Sequence, residues 1–233
     1  ILFKNLDLVQ AAEDDIRSIR WKEIAYIPQG SMSSLNPVIK LHSQFFDVVK
    51  DHNSKATKKE MKTQINNLLK GVHLSPAVLE KYPHELSGGM KQRACIALAM
   101  VLQPDLIIAD EPTSALDVVS QRVVLETLSD AREKLGASMI LIGHDMALQA
   151  QIADRLGIMY GGNFLEIGSV DDIYKNPVHP YTNRLIDSIP SINQKQDVGK
   201  LARSGFAKED WESFLRIVSY QKVGSGHYVA QHD

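Results

Sequence analysis

Apolar residues along this chain arrive in two rhythms. Short unbroken runs at residues 1–3, 24–27, 106–109 and 139–142 read as strands, and the run at 106–109 fits a strand buried on both faces. Elsewhere apolar positions recur every three or four residues, the spacing of one helix face. Leu41, Phe45, Val48 and Val49 form one such stripe, and Met61, Ile65, Leu68, Leu69 and Val72 form another. Residues 40–82 therefore read as helical, with a charged, exposed stretch from Lys50 to Lys59 between the stripes. Ala94, Leu98, Ala99, Met100 and Leu102 mark a helix that Pro104-Asp105 ends. Residues 118–135 form an amphipathic helix with Val123, Val124, Leu128 and Leu135 inward and Gly136 as its stop. The fold class is α/β.

Later in the chain the punctuation changes. Residues 156–160 and 164–167 flank Gly161-Gly162-Asn163, which predicts a tight hairpin. Asn176-Pro177-Val178-His179-Pro180-Tyr181-Thr182 is a proline-punctuated loop leading into a short helix. Residues 191–233 are polar and weakly patterned, although Trp211, Phe214, Leu215 and Val218 have the spacing of one small amphipathic helix.

The candidate chemistry gathers at the ends of these elements. Ser87-Gly88-Gly89 opens a helix, where backbone N–H groups are unpaired, unobstructed by side chains and at the positive end of the helix dipole, so the stretch can hold an anion. The plainer reading of an isolated Ser-Gly-Gly is an ordinary N-cap with a flexible lead-in. Asp110 and Glu111 stand at the C-terminal edge of the 106–109 run, where open α/β sheets bind ligands. Neighbours on a strand point in opposite directions, so one acid can hold Mg²⁺ while the other polarises a water. A solvated strand end is the plainer alternative. Gln29 follows the 24–27 strand and His144 follows the 139–142 strand; alone, the first reads as a turn amide and the second as a structural imidazole.

Composition narrows the setting. Lys+Arg 26 against Asp+Glu 28 gives a net charge of -2, so no basic field argues for nucleic acid. The one cysteine, Cys95, excludes a disulfide framework and reads as a small core residue in a reducing compartment. No apolar run approaches the roughly 20 residues that span a bilayer, and no signal peptide is visible, so a soluble chain that reaches a membrane only through partners is expected.

Leu86-Ser87-Gly88-Gly89-Met90-Lys91-Gln92-Arg93, then residues 106–112 reading LIIADEP, then Ser114-Ala115-Leu116-Asp117 resemble the signature motif, Walker B strand and D-loop of ABC-type ATPases. The resemblance implies a P-loop NTPase-like core with a mostly parallel sheet, an inserted helical subdomain and a C-terminal extension. Its segments would be 1–39 (core with the Q-loop), 40–93 (helical signature subdomain), 94–170 (core with Walker B, D-loop and switch histidine) and 171–233 (extension). It implies ATP and Mg²⁺ as cofactors, with Asp110 and Gln29 at the metal, Glu111 and His144 as catalytic groups, and Gln29, Ser87, Gly88, Gly89, Gln92 and Asp117 at the nucleotide. The family more often has Thr before the switch histidine; here Gly143 stands there.

Residues 33–38, SSLNPV, and the Asn176–Thr182 stretch are similar to the peptide- and nickel-importer branch. That branch implies a second ABC ATPase, two transmembrane permease subunits and an extracytoplasmic substrate-binding protein as partners, at the cytoplasmic face of the membrane. Many relatives carry cysteines in the tail that are suggested to bind an iron–sulfur cluster; none follows Cys95, so no cluster is expected. The Gly-x-x-x-x-Gly-Lys-Ser/Thr phosphate loop and the aromatic residue that stacks on adenine do not occur in these 233 residues. Two expectations follow: a piece of an ordinary importer ATPase, inactive alone, or a non-catalytic subunit that lends its signature motif in trans to a partner's ATP. A soluble ABC ATPase of DNA repair or translation fits less well, because the charge is neutral and long heptads are missing.

Overall fold

The computed structural model describes residues 1–53, 56–114, 116–189 and 208–232. The chain divides into two compact units, Ile1–Leu148 and Gln149–Asp233.

In the first unit a small antiparallel ribbon, β1 (Leu2–Phe3) with β2 (Leu6–Asp7), leads through α1 (Glu13–Ile19) to β3 (Ile24–Ile27). Three helices follow: α2 (Leu41–His52), α3 (Lys58–Gly71) and α4 (Gly88–Met100). Then come β4 (Leu106–Asp110), α5 (Val118–Leu135), β5 (Ser138–Ile142) and a single turn, α6 (Met146–Gln149). β3, β4 and β5 form a parallel sheet in that order, with Ile27 opposite Ala109 and Ala109 opposite Leu141.

The two predicted stripes are the buried faces of α2 (Leu41, Phe45, Val49) and α3 (Met61, Ile65, Leu69). Each such side chain contributes roughly 1.5–3 kcal/mol by leaving water. The stretch expected to be helical from end to end is broken between them. Asn53 ends α2, and Thr57 starts α3 with a capping box, in which its side chain accepts from the Glu60 N–H while the Glu60 carboxylate accepts the Thr57 N–H. α5 ends as the sequence predicts, on Gly136 at φ +64, the left-handed conformation that glycine adopts without steric cost.

α4 is buried nearly all round, and its small side chains at Ala94, Cys95, Ala97 and Ala99 let it pack among β3, α3 and α5. Cys95 is a core residue; burial pushes its thiol up to about 12, and its Sγ donates to the Ser31 carbonyl at 3.0 Å.

The sheet departs from expectation in one respect. Ile107 and Ala109 are fully buried on one face with Ala25 and Ile27, but the opposite face, carrying Tyr26, Ile140 and Ile142, is exposed among the described residues. The apolar run of β4 is thus covered on one side by residues of this unit.

In the second unit, β6 (Arg155–Tyr160) and β7 (Asn163–Ser169) form the predicted hairpin. Gly161 and Gly162 both take positive φ, +54 and +83, as a two-residue turn with right-handed strand twist requires. α7 (Val170–Lys175), α8 (Pro180–Asp187) and α9 (Lys208–Ser213) follow, then β8 (Ile217–Gly224) and β9 (His227–His232). The antiparallel sheet runs β6-β7-β9-β8. The helix expected to carry Trp211 through Val218 is shorter: Trp211 lies in α9, Phe214 is buried just after it, and Val218 belongs to β8. Pairing of β8 with β9, which in turn pairs with β7, overrides the helical spacing.

A buried polar knot ties this sheet to the loop before α8. Glu166, fully buried on β7, accepts the backbone N–H groups of Val178 and His179 at 2.9 and 3.0 Å and meets a His227 ring nitrogen at 2.7 Å. His179 caps α8: its Nδ1 accepts the Tyr181 N–H, so in the neutral ring Nε2 carries the proton and donates to His232 Nε2 at 2.7 Å. Burial, and secondarily His232, push His179 down to about 4 against the opposing pull of Glu166. Its folded value lies below the ordinary histidine value of about 6.5, so the stability it contributes is complete above that pH. Acidification toward pH 4 should cost the second unit on the order of 2 kcal/mol. Urea unfolding followed at β7 and β9 amide resonances at pH 7 and pH 4.5 measures this; equal midpoints would contradict it.

Candidate active site

The three parallel strands end at one edge of the sheet, and each delivers a polar residue there. Gln29 follows β3, Glu111 follows β4 and His144 follows β5. The Gln29 Nε2 donates to Glu111 Oε2 at 2.8 Å, and His144 Nδ1 stands 3.3 Å from Glu111 Oε1. A carboxylate is thereby held between an amide and an imidazole that lie 82 and 33 residues away in sequence.

The backbone contributes as well. Glu111 adopts φ +44 while its N–H donates to the Ile142 carbonyl at 2.9 Å. A non-glycine residue in the left-handed region costs about 1 kcal/mol or more, and such strain concentrates at functional positions. Gly30, at φ +66, turns the chain sharply after Gln29 into the short helical turn Ser31–Ser33.

Asp110, one residue earlier, points to the exposed face of the sheet rather than to this group. Tyr26 on β3 donates its hydroxyl to Asp110 Oδ2 at 2.9 Å, and this bond holds the phenol above its ordinary value. The two acids therefore have separate surroundings. Among the described residues no cluster of three or more His, Cys, Asp or Glu is arranged to hold a metal. The Asp110 carboxylate, and the Gln29 amide oxygen left over when Nε2 serves Glu111, are nonetheless hard oxygen donors. Mg²⁺ is commonly held by one or two such protein groups, with phosphate and water completing the shell. The Asp110 carboxylate by itself is a donor of the kind that ion takes, although the structure does not bring the Gln29 oxygen beside it.

A second group forms at the start of α4. Ser87 caps the helix, its Oγ accepting the Met90 N–H, and Ser87 and Gly88 are exposed. A Cβ on Gly88 would meet its nearest neighbour, Met32, at 3.7 Å, and one on Gly89 would meet Ser120 at 3.6 Å. Neither glycine is required by the packing beneath it, so the bare backbone is a property of the outer surface. Ser120 belongs to the first turn of α5, whose N-cap is Asp117. That carboxylate accepts the Ser120 hydroxyl and N–H at 2.7 and 2.9 Å, and these bonds hold it below its ordinary value. Ala115, in the D-loop stretch, lies outside the described residues.

Gln92 is placed differently from the other residues expected at the nucleotide. It is 3% exposed, and its amide oxygen accepts the Ser31 hydroxyl at 2.9 Å in the interior. The side chain links α4 to the turn after Gln29 and is not presented beside Ser87. Neither Tyr26 nor Ser31 stands out in the sequence as a site residue. Only strand register puts Tyr26 beside Asp110, and the sole advance signal was a polar hydroxyl on an otherwise apolar strand.

Two family models match the chain: "ABC transporter" over residues 1–114, and "Oligopeptide/dipeptide transporter, C-terminal region" over residues 165–210. An oligopeptide transport ATP-binding protein of Lactococcus lactis subsp. cremoris is 37% identical across 99% of this chain and 70% of its own length. The chain belongs to the ATP-binding proteins of ABC transporters. A dipeptide transport ATP-binding protein of Caldanaerobacter subterraneus subsp. tengcongensis is 45% identical over 83% of the chain, and an oligopeptide transport ATP-binding protein of Bacillus subtilis is 42% identical over 82%. The chain spans 60% and 54% of the length of these two relatives. Among solved structures, a dimeric ATP-binding cassette bound to ADP and phosphate shares the fold with a TM-score of 0.63 at 23% identity, covering 72% of each chain. The α/β fold is that of an ABC ATPase cassette.

The interior position of Gln92 generates a prediction about stability. Gln92→Leu keeps the volume but leaves the Ser31 hydroxyl without its acceptor, and should cost about 1–3 kcal/mol in urea unfolding. A change below about 0.5 kcal/mol, within the range of ordinary surface substitutions, would contradict it.

Proposed function

We propose that this chain is part of an ATP-binding subunit that energises uptake of oligopeptides or dipeptides through an ABC importer. The observation that carries this reading is the convergence of Gln29, Glu111 and His144 on one sheet edge. The peptide branch is supported by the match over residues 165–210 and by the names of the relatives.

In this reading Glu111 is the general base that polarises the attacking water. Gln29 and His144 hold its two oxygens in different directions, which fixes where that water sits. His144 can bond Glu111 and the terminal phosphate together only as imidazolium, which donates at both ring nitrogens. The Asp110 carboxylate, with the Gln29 amide oxygen as a second candidate donor, would hold Mg²⁺, which would supply charge neutralisation to the phosphates. Ser87, Gly88 and Gly89 present bare backbone N–H groups to ATP held by a second ABC ATPase, and Asp117 works across the same interface by fixing the start of α5. Two permease subunits and an extracytoplasmic binding protein complete the transporter, with this chain at the cytoplasmic face of the membrane. Among the described residues no helix is long and apolar enough to cross a membrane, which suits attachment through the permeases.

These 233 residues contain no glycine-rich phosphate loop, so the grip on the β- and γ-phosphates is supplied from outside them. The same observation favours a second reading, a subunit that lends only its signature face to a partner's site. The two readings separate on Glu111. In an assembly where the phosphate loop is present, Glu111→Gln should lower ATP turnover at this chain's site by about 100-fold or more while ATP still binds, and the 233-residue chain alone should show no turnover. Steady-state hydrolysis and nucleotide binding measure both. Turnover unchanged by Glu111→Gln would leave the signature-lending reading.

A further inference from the structure

The exposed face of the β3–β4–β5 sheet is aliphatic at Ile108, Ile140 and Ile142, yet its β3 position is a tyrosine. Tyr26 stands opposite Ile108, two residues before Asp110 on the neighbouring strand, and more than half of its surface is exposed. Packing therefore does not fix its ring tightly. What the side chain does is span the diagonal to Asp110 and donate its hydroxyl to Oδ2 at 2.9 Å. Among the described residues it is the one side chain bonded to this carboxylate. A phenylalanine would cover the same apolar area without that bond.

We propose that Tyr26 is a positioning residue for divalent-cation binding: its hydroxyl occupies Asp110 Oδ2 and so fixes the carboxylate with Oδ1 as the oxygen left for a cation. The physical case is that of any carboxylate ligand. A free carboxylate rotates about its terminal bond and presents either oxygen, whereas one tethered by a directional O–H···O bond presents a single oxygen in a single direction. Loss of such an outer hydrogen bond typically weakens metal affinity about 10- to 100-fold. Tyr26 reaches no other polar partner within the described residues, so the effect of removing its hydroxyl passes through Asp110.

The inference rests on the reading of Asp110 as a metal-holding residue, and the test separates the two. Mn²⁺ is titrated into the 233-residue chain without nucleotide, and paramagnetic broadening of the amide resonances of Asp110 and Glu111 is followed in the natural sequence, in Tyr26→Phe and in Asp110→Asn. The expected result is saturable broadening in the natural sequence, a curve shifted about tenfold to higher Mn²⁺ in Tyr26→Phe, and no saturable broadening in Asp110→Asn. Metal-free urea unfolding of Tyr26→Phe accompanies it: a merely structural role moves the urea midpoint and leaves the Mn²⁺ curve in place. Tyr26→Phe titrating like the natural sequence while Asp110→Asn does not bind overturns the role of Tyr26 and leaves Asp110 as ligand. Asp110→Asn binding like the natural sequence, or no broadening in the natural sequence, overturns the metal reading and the positioning role with it.

Discussion

Ile27 opposite Ala109, and Ala109 opposite Leu141, set the three parallel strands of the first unit level with one another. A slip of one residue in either pairing would turn Ile107 and Ala109 from the covered face to the open one. It would also move Glu111 out of reach of Gln29 or His144. The burial of small and branched residues on the covered face, Ala25, Ile27, Ile107 and Ala109, is thus what fixes the chemistry at the edge. Apolar packing sets the register, and the register sets a 2.8 Å amide–carboxylate bond between residues far apart in sequence.

The same edge is mechanically joined to the helices. Gly30 turns the chain after Gln29 into a short helical turn, and Ser31 in that turn meets both Gln92 and Cys95 of α4 in the interior. The helix that begins at Ser87-Gly88-Gly89 is therefore anchored two residues from the glutamine that touches Glu111. α4 runs from an exposed, side-chain-free start into an interior of alanine and cysteine, and that gradient suits an element that must present backbone at one end and pack densely at the other.

Much of this is legible in the sequence. The four apolar runs, both helix stripes, the stop at Gly136 and the Gly161-Gly162 turn rest on local rules: period, β-branched content and positive φ. The motif residues at strand ends were legible because an α/β sheet exposes its C-terminal edge. What escaped depends on contacts between distant segments. Tyr26 reads as one more apolar strand position until β3 is paired with β4, and Gln92 reads as part of an exposed motif until Ser31 is brought beneath it. The helical spacing of Trp211, Phe214, Leu215 and Val218 misled because cross-strand pairing with β9, which no local pattern encodes, claims the end of that segment for β8. Single-face burial of the sheet was likewise invisible, since an unbroken apolar run does not tell which face is covered.

Under the proposed function, these residues hold the groups for water and metal at an ATP site and a bare helix start for a partner's nucleotide, while the grip on the β- and γ-phosphates lies outside them. Calorimetric titration of MgATP into the 233-residue chain tests that division most directly. No binding tighter than about 1 mM is expected, a free energy no larger than about 4 kcal/mol. Micromolar binding would mean that these residues contain a phosphate site of their own, and would contradict that division.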